Sequence, residues 1–285
     1  MLKMAELKES DFVVDLGCGD GRILVTAAQR YGAKGLGVDF EAQRIVEANE
    51  NAKKAGVSDK VEFRRENLFD TDISNVSVLT LYLSLAINIK LRPRILETLK
   101  PGARVLSHDF NMGDWLPDRT ERISDRVVYL WVVPAKVGGN WQLSYDGPHG
   151  PMVLELSLGQ QFQQLSGNAV MAGKAAPLRD ALVTGDGVGF AVDIEGRSMR
   201  FDGHVATANF RGTAGRRSGS NPRGGQSYGT RRSPRRFKYR QRRRQRTEAL
   251  PCASIVCPSS PQLHCCCFPQ LARRRSNRRL RQRKR

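Results

Sequence analysis

Seven residues constrain this chain more than any others: Asp15-Leu16-Gly17-Cys18-Gly19-Asp20-Gly21, which continue the apolar run Phe12-Val13-Val14. Glycines at three alternate positions let the backbone turn sharply and pass close to a ligand lying across strand ends. Gly21 to Tyr31 then shows helical apolar spacing through Ile23, Leu24, Ala27 and Ala28, and Gly35 to Asp39 reads as a second strand. Asp39 closes that strand eighteen residues after Gly21, where a carboxylate can accept hydrogen bonds from both hydroxyls of a ribose. The unit therefore predicts a nucleoside-containing cofactor. A nicotinamide fingerprint would space its glycines G-x-G-x-x-G, but position 22 is Arg, so the third glycine of that pattern is missing.

The alternation continues along the chain. Glu41 to Ala55 is an amphipathic helical stretch stopped by Gly56, Val61 to Arg64 and Val76 to Leu81 read as strands, Leu85 to Leu99 as a helix, and Ala103 to Ser107 as a fifth strand. Two β-rich runs follow without a helix, Val127 to Val133 and Trp141 to Tyr145, joined by a Gly138-Gly139-Asn140 turn. Strands separated by helices predict a parallel sheet, and the closing hairpin predicts an antiparallel edge. The expected fold class is α/β: a Rossmann-like, seven-stranded, mostly parallel sheet over residues 1–145. Residues 146–211 alternate in shorter runs, at Met152 to Leu158, Leu182 to Thr184, Val188 to Ile194 and Ser198 to Ala206, and read as a small β-meander. This module brings no cluster of His, Cys or carboxylate residues together and is expected to be structural.

A formal charge of +19 on 285 residues would ordinarily point to nucleic acid or an anionic membrane. Its distribution removes that inference from the first 211 residues, which carry 25 Lys+Arg against 27 Asp+Glu, whereas residues 212–285 carry 22 against 1. The tail, with Arg242-Arg243-Arg244 and Arg273-Arg274-Arg275 as its densest clusters, has too little apolar surface to fold alone and reads as disordered. Three readings compete for it: a nucleic-acid-binding arm, a metal site built on Cys252, Cys257, His264 and Cys265-Cys266-Cys267, or the product of a shifted reading frame. The metal reading lacks a paired C-x-x-C, so no metal is expected. The near-loss of acidic residues and the clustered cysteines favour the shifted frame. Cys18 stands alone in the first 211 residues, which rules out a disulfide framework there. No run of eighteen apolar residues occurs and Met1 to Ser10, a short helical run over Leu2 to Leu7 included, has no signal-like apolar core, so a soluble cytoplasmic protein is expected.

The acidic residue followed by G-x-G-x-G resembles motif I of the class I S-adenosylmethionine-dependent methyltransferases. Val78 to Pro117, read with Asp20-Gly21-Arg22-Ile23, is similar to the relatives of the mitochondrial protein-lysine methyltransferases that modify ATP synthase subunit c and the adenine nucleotide translocase. The similarity covers about residues 5–141. It implies S-adenosyl-L-methionine as cofactor, held by Asp15, Gly17, Gly19, Asp20, Gly21, Asp39 and Phe40. It also places Asn67 and Leu68 where the family usually has an Asp that accepts from the adenine amine. Asn67 can still accept through its side-chain oxygen but carries no charge; it also reads as an ordinary turn asparagine. Such relatives usually carry a further segment ahead of the motif I strand that closes over the cofactor.

Methyl transfer from a sulfonium is an in-line displacement that needs positioning and desolvation, with no metal or covalent nucleophile. A lysine acceptor must first lose its proton, and an aromatic with nearby acceptors could hold the neutral amine. Tyr82, Asp109 and Trp115 follow strands four and five and are the catalytic candidates, each with a structural alternative: packing for Tyr82, a turn for Asp109, core for Trp115. His108 reads as structural. The methyl acceptor is therefore expected to be a protein lysine or a small molecule. The alternative is an RNA methyltransferase or a nucleic-acid binder using the tail. The strand-four end Leu81-Tyr82-Leu83-Ser84 weighs against a nucleobase enzyme, since it lacks the Asn/Asp-Pro-Pro-aromatic signature presented to a flipped base.

Overall fold

The computed structural model describes residues 1–147, 150–206, 209–216 and 235–241. Its first sheet contains β1 (Phe12–Leu16), β2 (Lys34–Asp39), β3 (Val61–Arg65), β4 (Val78–Leu81), β5 (Arg104–His108), β6 (Arg119–Ile123) and β7 (Arg126–Val132). The strand order is β3-β2-β1-β4-β5-β7-β6. The β1 to β5 pairings are all parallel, and β7 runs antiparallel to both β5 and β6. Three helices serve as crossovers, α1 (Arg22–Tyr31), α2 (Ala42–Lys54) and α3 (Leu85–Thr98). No described helix is long and apolar enough to cross a membrane. Strand order reverses between β1 and β4, so the carboxyl ends of these two strands bound the crevice where an open α/β sheet takes its ligand.

The sheet is buried on both faces. One core gathers Val13, Leu24, Ala28, Ala48, Ala52 and Phe63 under α1 and α2, and the other gathers Leu16, Leu79, Leu91, Ile95, Trp115 and Trp131 under α3. Burial on both sides explains why β1 and β4 read as apolar runs interrupted only by Asp15 and Thr80. Leu2 to Leu7 forms turns where a short helix was expected, but Leu2, Met4, Ala5 and Leu7 are buried in the first core. Arg104 of β5 fastens this segment by donating to the Ala5 and Glu6 carbonyls and pairing with Asp11.

The edge hairpin exists, and its Val127 to Val133 strand is found as β7, but its partner is not the expected one. β7 pairs with β6, and Trp141 to Tyr145 belongs to β8 (Gly139–Gly147), which leaves the sheet altogether. β8 opens a closed antiparallel barrel with β9 (Gly150–Gln161), β10 (Gln164–Met171), β11 (Lys174–Thr184), β12 (Gly187–Ile194), β13 (Arg197–Ala206), β14 (Asn209–Arg216) and β15 (Arg235–Gln241). Each strand pairs with its sequence neighbour, as a meander requires, and β15 closes on β8. Closure consumes the free edges that an open meander would expose. The barrel interior holds Trp141, Leu143, Leu156, Phe190 and Phe201. Phe162, between β9 and β10, stacks on Trp115 with ring centroids 6.0 Å apart, and the Gln163 amide donates to the Leu116 carbonyl at 2.6 Å.

Of the region expected to be disordered, 212–216 and 235–241 are strand. The remainder, 217–234 and 242–285, lies outside the described residues, and with it the arginine clusters, the tail cysteines and the reading-frame question.

Candidate functional site at the carboxyl ends of β1, β2, β4 and β5

The glycine loop leaves β1 with Gly17, Gly19 and Gly21 at φ of 78°, 53° and 74°, a region side chains disfavour. The backbone N–H groups of Gly17 and Cys18 both donate to the Val38 carbonyl, at 2.8 and 2.9 Å, which draws the loop across the end of β2. The glycines differ in what surrounds them. A Cβ on Gly21 would stand 2.6 Å from Phe63 Cζ and 2.9 Å from Ala48 Cβ, so this position closes the packing of α1 against β3 and α2. A Cβ on Gly19 would meet nothing within 4 Å, so the backbone here faces open space where a ligand can lie against it.

Asp39 joins the two sides. Its Oδ2 accepts from Gly19 N–H at 3.0 Å and its Oδ1 from Glu41 N–H at 3.0 Å. Each oxygen keeps acceptor capacity, which suits the two hydroxyls of a ribose. Phe40 beside it is 74% exposed, with the Arg65 guanidinium 5.8 Å from its ring centroid. Asp20 forms a two-pronged pair with Arg22, at 2.8 and 2.7 Å, which holds its carboxyl below the usual range.

Asp15 corrects an expectation of direct cofactor contact. Its side chain is 2% exposed and accepts from Thr80 Oγ1 at 2.7 Å, so it ties β1 to β4 beneath the loop. Burial pushes its carboxyl up to about 7 against the opposing Thr80 hydrogen bond, and the Asp39 and Asp20 charges add to the rise. Cys18 is buried too, and that burial raises its thiol further from the reactive thiolate.

Asn67 follows β3 and its side chain closes a turn. Its Oδ1 accepts from Phe69 N–H at 3.1 Å while its Nδ2 donates to Asp70 Oδ2 at 3.0 Å. Both ends of the amide are thereby oriented, and Oδ1 retains one lone pair for a further donor. Leu68 packs partly into the α3-side core.

On the acceptor side, Tyr82 is 52% exposed at the end of β4 and meets the His108 ring edge-on, with centroids 4.3 Å apart. Asp109 has a φ of 61°, unusual for a residue with a side chain, and its carboxylate is already engaged. It accepts from Val127 N–H at 3.0 Å and from Arg126 Nη1 at 2.8 Å, and these contacts hold it below the usual carboxylate range. His108 Nδ1 lies 3.3 Å from the same carboxylate. Asp109 is therefore an anchor for the β5 end and the β7 start. Trp115 has no exposed surface and packs between Trp131 and Phe162, so of the two readings offered for it the core one holds, and it does not line the acceptor side. Thr80 and Arg126 are site residues that sequence reasoning missed. Thr80 sits inside an apolar run, and the partner of Arg126 becomes visible only once the true hairpin is known.

Among the described residues, no three His, Cys, Asp or Glu side chains are placed to hold a metal. An apolar recess lined by Val137, Trp141, Leu158 and Phe190 lies inside the barrel, with no polar lining residue to orient a ligand. The residues present at the strand ends fit a nucleoside cofactor: open backbone at Gly19, a ribose-type carboxylate at Asp39 and an oriented acceptor at Asn67.

Comparison with known proteins agrees. Residues 15–119 match the family model of the ANTKMT methyltransferase domain. A protein-lysine N-methyltransferase of Saccharolobus islandicus (strain REY15A) is 40% identical over 138 residues, which make up 47% of this chain and 86% of that relative. The adenine nucleotide translocase lysine N-methyltransferase of Mus musculus is 30% identical over 105 residues, 37% of this chain and 46% of that protein. A solved RNA methyltransferase from Salinibacter ruber, in complex with S-adenosyl-L-homocysteine, is 48% identical, with 48% of this chain and 89% of that chain covered and a TM-score of 0.47. The chain belongs to the family of S-adenosyl-L-methionine-dependent methyltransferases that carry the ANTKMT methyltransferase domain.

Proposed function

We propose that this enzyme methylates the side-chain amine of a protein lysine. The observation that carries the reading is the exposed Tyr82 at the end of β4, beside the strand-end crevice and braced by His108, in a chain that spans 86% of a relative named as a protein-lysine methyltransferase. In this reading Gly17, Gly19 and Gly21 shape the loop that takes the cofactor. Asp39 accepts from the ribose hydroxyls, Phe40 covers one face, and Asn67 with Leu68 meets the adenine edge. Asp20 shapes the loop through Arg22, and Asp15 braces it from below.

The bound cofactor supplies an electrophilic methyl group. The chain's own residues bind, orient and exclude water. The Tyr82 ring offers a π face and a hydroxyl to a neutral lysine amine, which gains positive charge as the new bond forms. His108 holds that ring from the side, and Asp109 fixes the backbone turn that presents His108.

Transfer of labelled methyl from S-adenosyl-L-methionine into a fractionated lysate tests the reading. Label in protein, released as methyllysine on acid hydrolysis, is the expected result. Label confined to RNA or to small molecules would overturn it.

A further inference from the structure

Between the end of β3 and the start of β4 the chain runs through residues 66–77 without a helix or strand, and this is the stretch that carries Asn67 and Leu68. Such a segment has no ladder to fix it. Its local order comes from turn bonds: Asn67 Oδ1 from Phe69 N–H, Asp70 N–H to the Asn67 carbonyl at 2.9 Å, and Thr71 Oγ1 to the same carbonyl at 3.3 Å. These bonds shape the turn; Glu66 N–H donating to the Asp39 carbonyl at 3.1 Å and the packing of Leu68 and Phe69 against the α3-side core tie it to the fold.

The polar hold on the 68–71 carbonyls comes from α3. Arg94 Nη1 donates to the Phe69 carbonyl at 2.6 Å and to the Leu68 carbonyl at 3.3 Å, and its Nη2 donates to the Thr71 carbonyl. One planar guanidinium therefore gathers three carbonyls of a single loop, a task for which a fixed fork of donors is suited and a lysine ammonium is not. One turn earlier on the same helix, Lys90 Nζ sits 4.3 Å from the centroid of the Phe69 ring. Two cations of α3 thus hold the loop immediately behind Asn67.

We propose that Arg94 is the positioning residue for the adenine edge of the cofactor: it holds the 68–71 loop so that Asn67 Oδ1 stands ready to accept from the adenine amine. This rests on the reading of Asn67 given above. Arg94 touches no reacting atom and acts through the loop. Without it the Asn67 turn still closes on itself and keeps the Lys90–Phe69 contact, but the 68–71 carbonyls lose their hold on α3, so the acceptor is present and misplaced.

The test uses the full chain and two ligands, S-adenosyl-L-homocysteine and its analogue with unsubstituted purine in place of adenine, titrated by calorimetry into wild type, Asn67→Ala, Arg94→Ala and Arg94→Lys. Wild type is expected to prefer the adenine ligand about tenfold, the value of one well-made hydrogen bond. Asn67→Ala loses that preference. Arg94→Ala loses it as well, by weakening the adenine ligand about tenfold while leaving the purine analogue nearly unchanged, and Arg94→Lys keeps an intermediate preference. Equal weakening of both ligands in Arg94→Ala would mean a general structural role and overturns the proposal, as does an unchanged preference. If Arg94→Ala shows no thermal unfolding transition, Arg94→Lys decides alone, and a wild-type preference there overturns the proposal. A wild type that binds both ligands equally would instead defeat the Asn67 reading, and the proposal with it.

Discussion

Gly19 and Gly21 lie two residues apart, share a left-handed backbone and should fail in opposite ways when each is replaced by alanine. At Gly19 the added Cβ meets no atom within 4 Å, so the folding cost is the conformational strain alone, about 1–2 kcal/mol. At Gly21 the same strain is joined by a Cβ placed 2.6 Å from Phe63 Cζ and 2.9 Å from Ala48 Cβ. Such overpacking adds about 1–3 kcal/mol, for a total of about 2–5 kcal/mol. With about 2–4 °C per kcal/mol for a protein of this size class, Gly19→Ala should melt within about 8 °C of wild type and Gly21→Ala about 4–20 °C below it. Binding should reverse that order of damage. The open space over Gly19 is where the cofactor would lie against the backbone, so Gly19→Ala is expected to bind S-adenosyl-L-homocysteine at least about tenfold more weakly, a change of about 1.4 kcal/mol. Calorimetry at a temperature where both variants are folded, paired with thermal melts, reads both quantities. Wild-type affinity in Gly19→Ala would refute the reasoning, because the ligand could not then be lying on that glycine.

Asp15 supplies a pH dependence. Its folded carboxyl, raised to about 7, stays protonated where the unfolded one ionises near 3.8. The folded state therefore binds more protons across that window, and the contribution to stability is complete below about 3.8 and is lost as pH rises to about 7. Urea midpoints of wild type relative to Asp15→Asn should fall as pH rises from about 4 to about 7, and a constant difference would exclude this assignment. Trp115→Ala should cost about 3–5 kcal/mol of stability, while the folded Trp115→Phe should retain methyl transfer; loss of transfer with stability intact would return Trp115 to the acceptor side. Tyr82→Ala should lower labelled-methyl transfer with little change in cofactor affinity, and unchanged transfer would remove Tyr82 from the acceptor site.

The cofactor half was legible because its physics is local. A strand, alternate glycines and a carboxylate at the next strand end follow one another within Phe12 to Asp39, and each step has a direct sequence correlate. The acceptor half depends on residues brought together from β4, β5 and β7, and no local pattern marks them. β6 shows why the edge hairpin was misassigned. Its residues Arg119-Thr-Glu-Arg-Ile123 are exposed except for a half-buried Glu121, so this edge strand carries no apolar alternation. Trp141 to Tyr145 shows strong alternation and was drawn into the wrong sheet, since period-2 patterning says that a strand has a buried face but not which core buries it. β10, with Gly167 and Asn168 at its centre, gives a weak strand signal and is held by its neighbours β9 and β11. Trp115 illustrates the same limit at a single residue: position after β5 suggested the acceptor side, and burial between two other rings decided otherwise.

The Asp39 carboxylate is the group on which cofactor binding turns. Titration of S-adenosyl-L-methionine into the full chain and into Asp39→Ala measures this most directly. Single-site binding by wild type is expected, with a loss of about a hundredfold in the variant, the value of two hydrogen bonds to a charged acceptor. Equal affinities in the two proteins, or no binding by wild type, would contradict it.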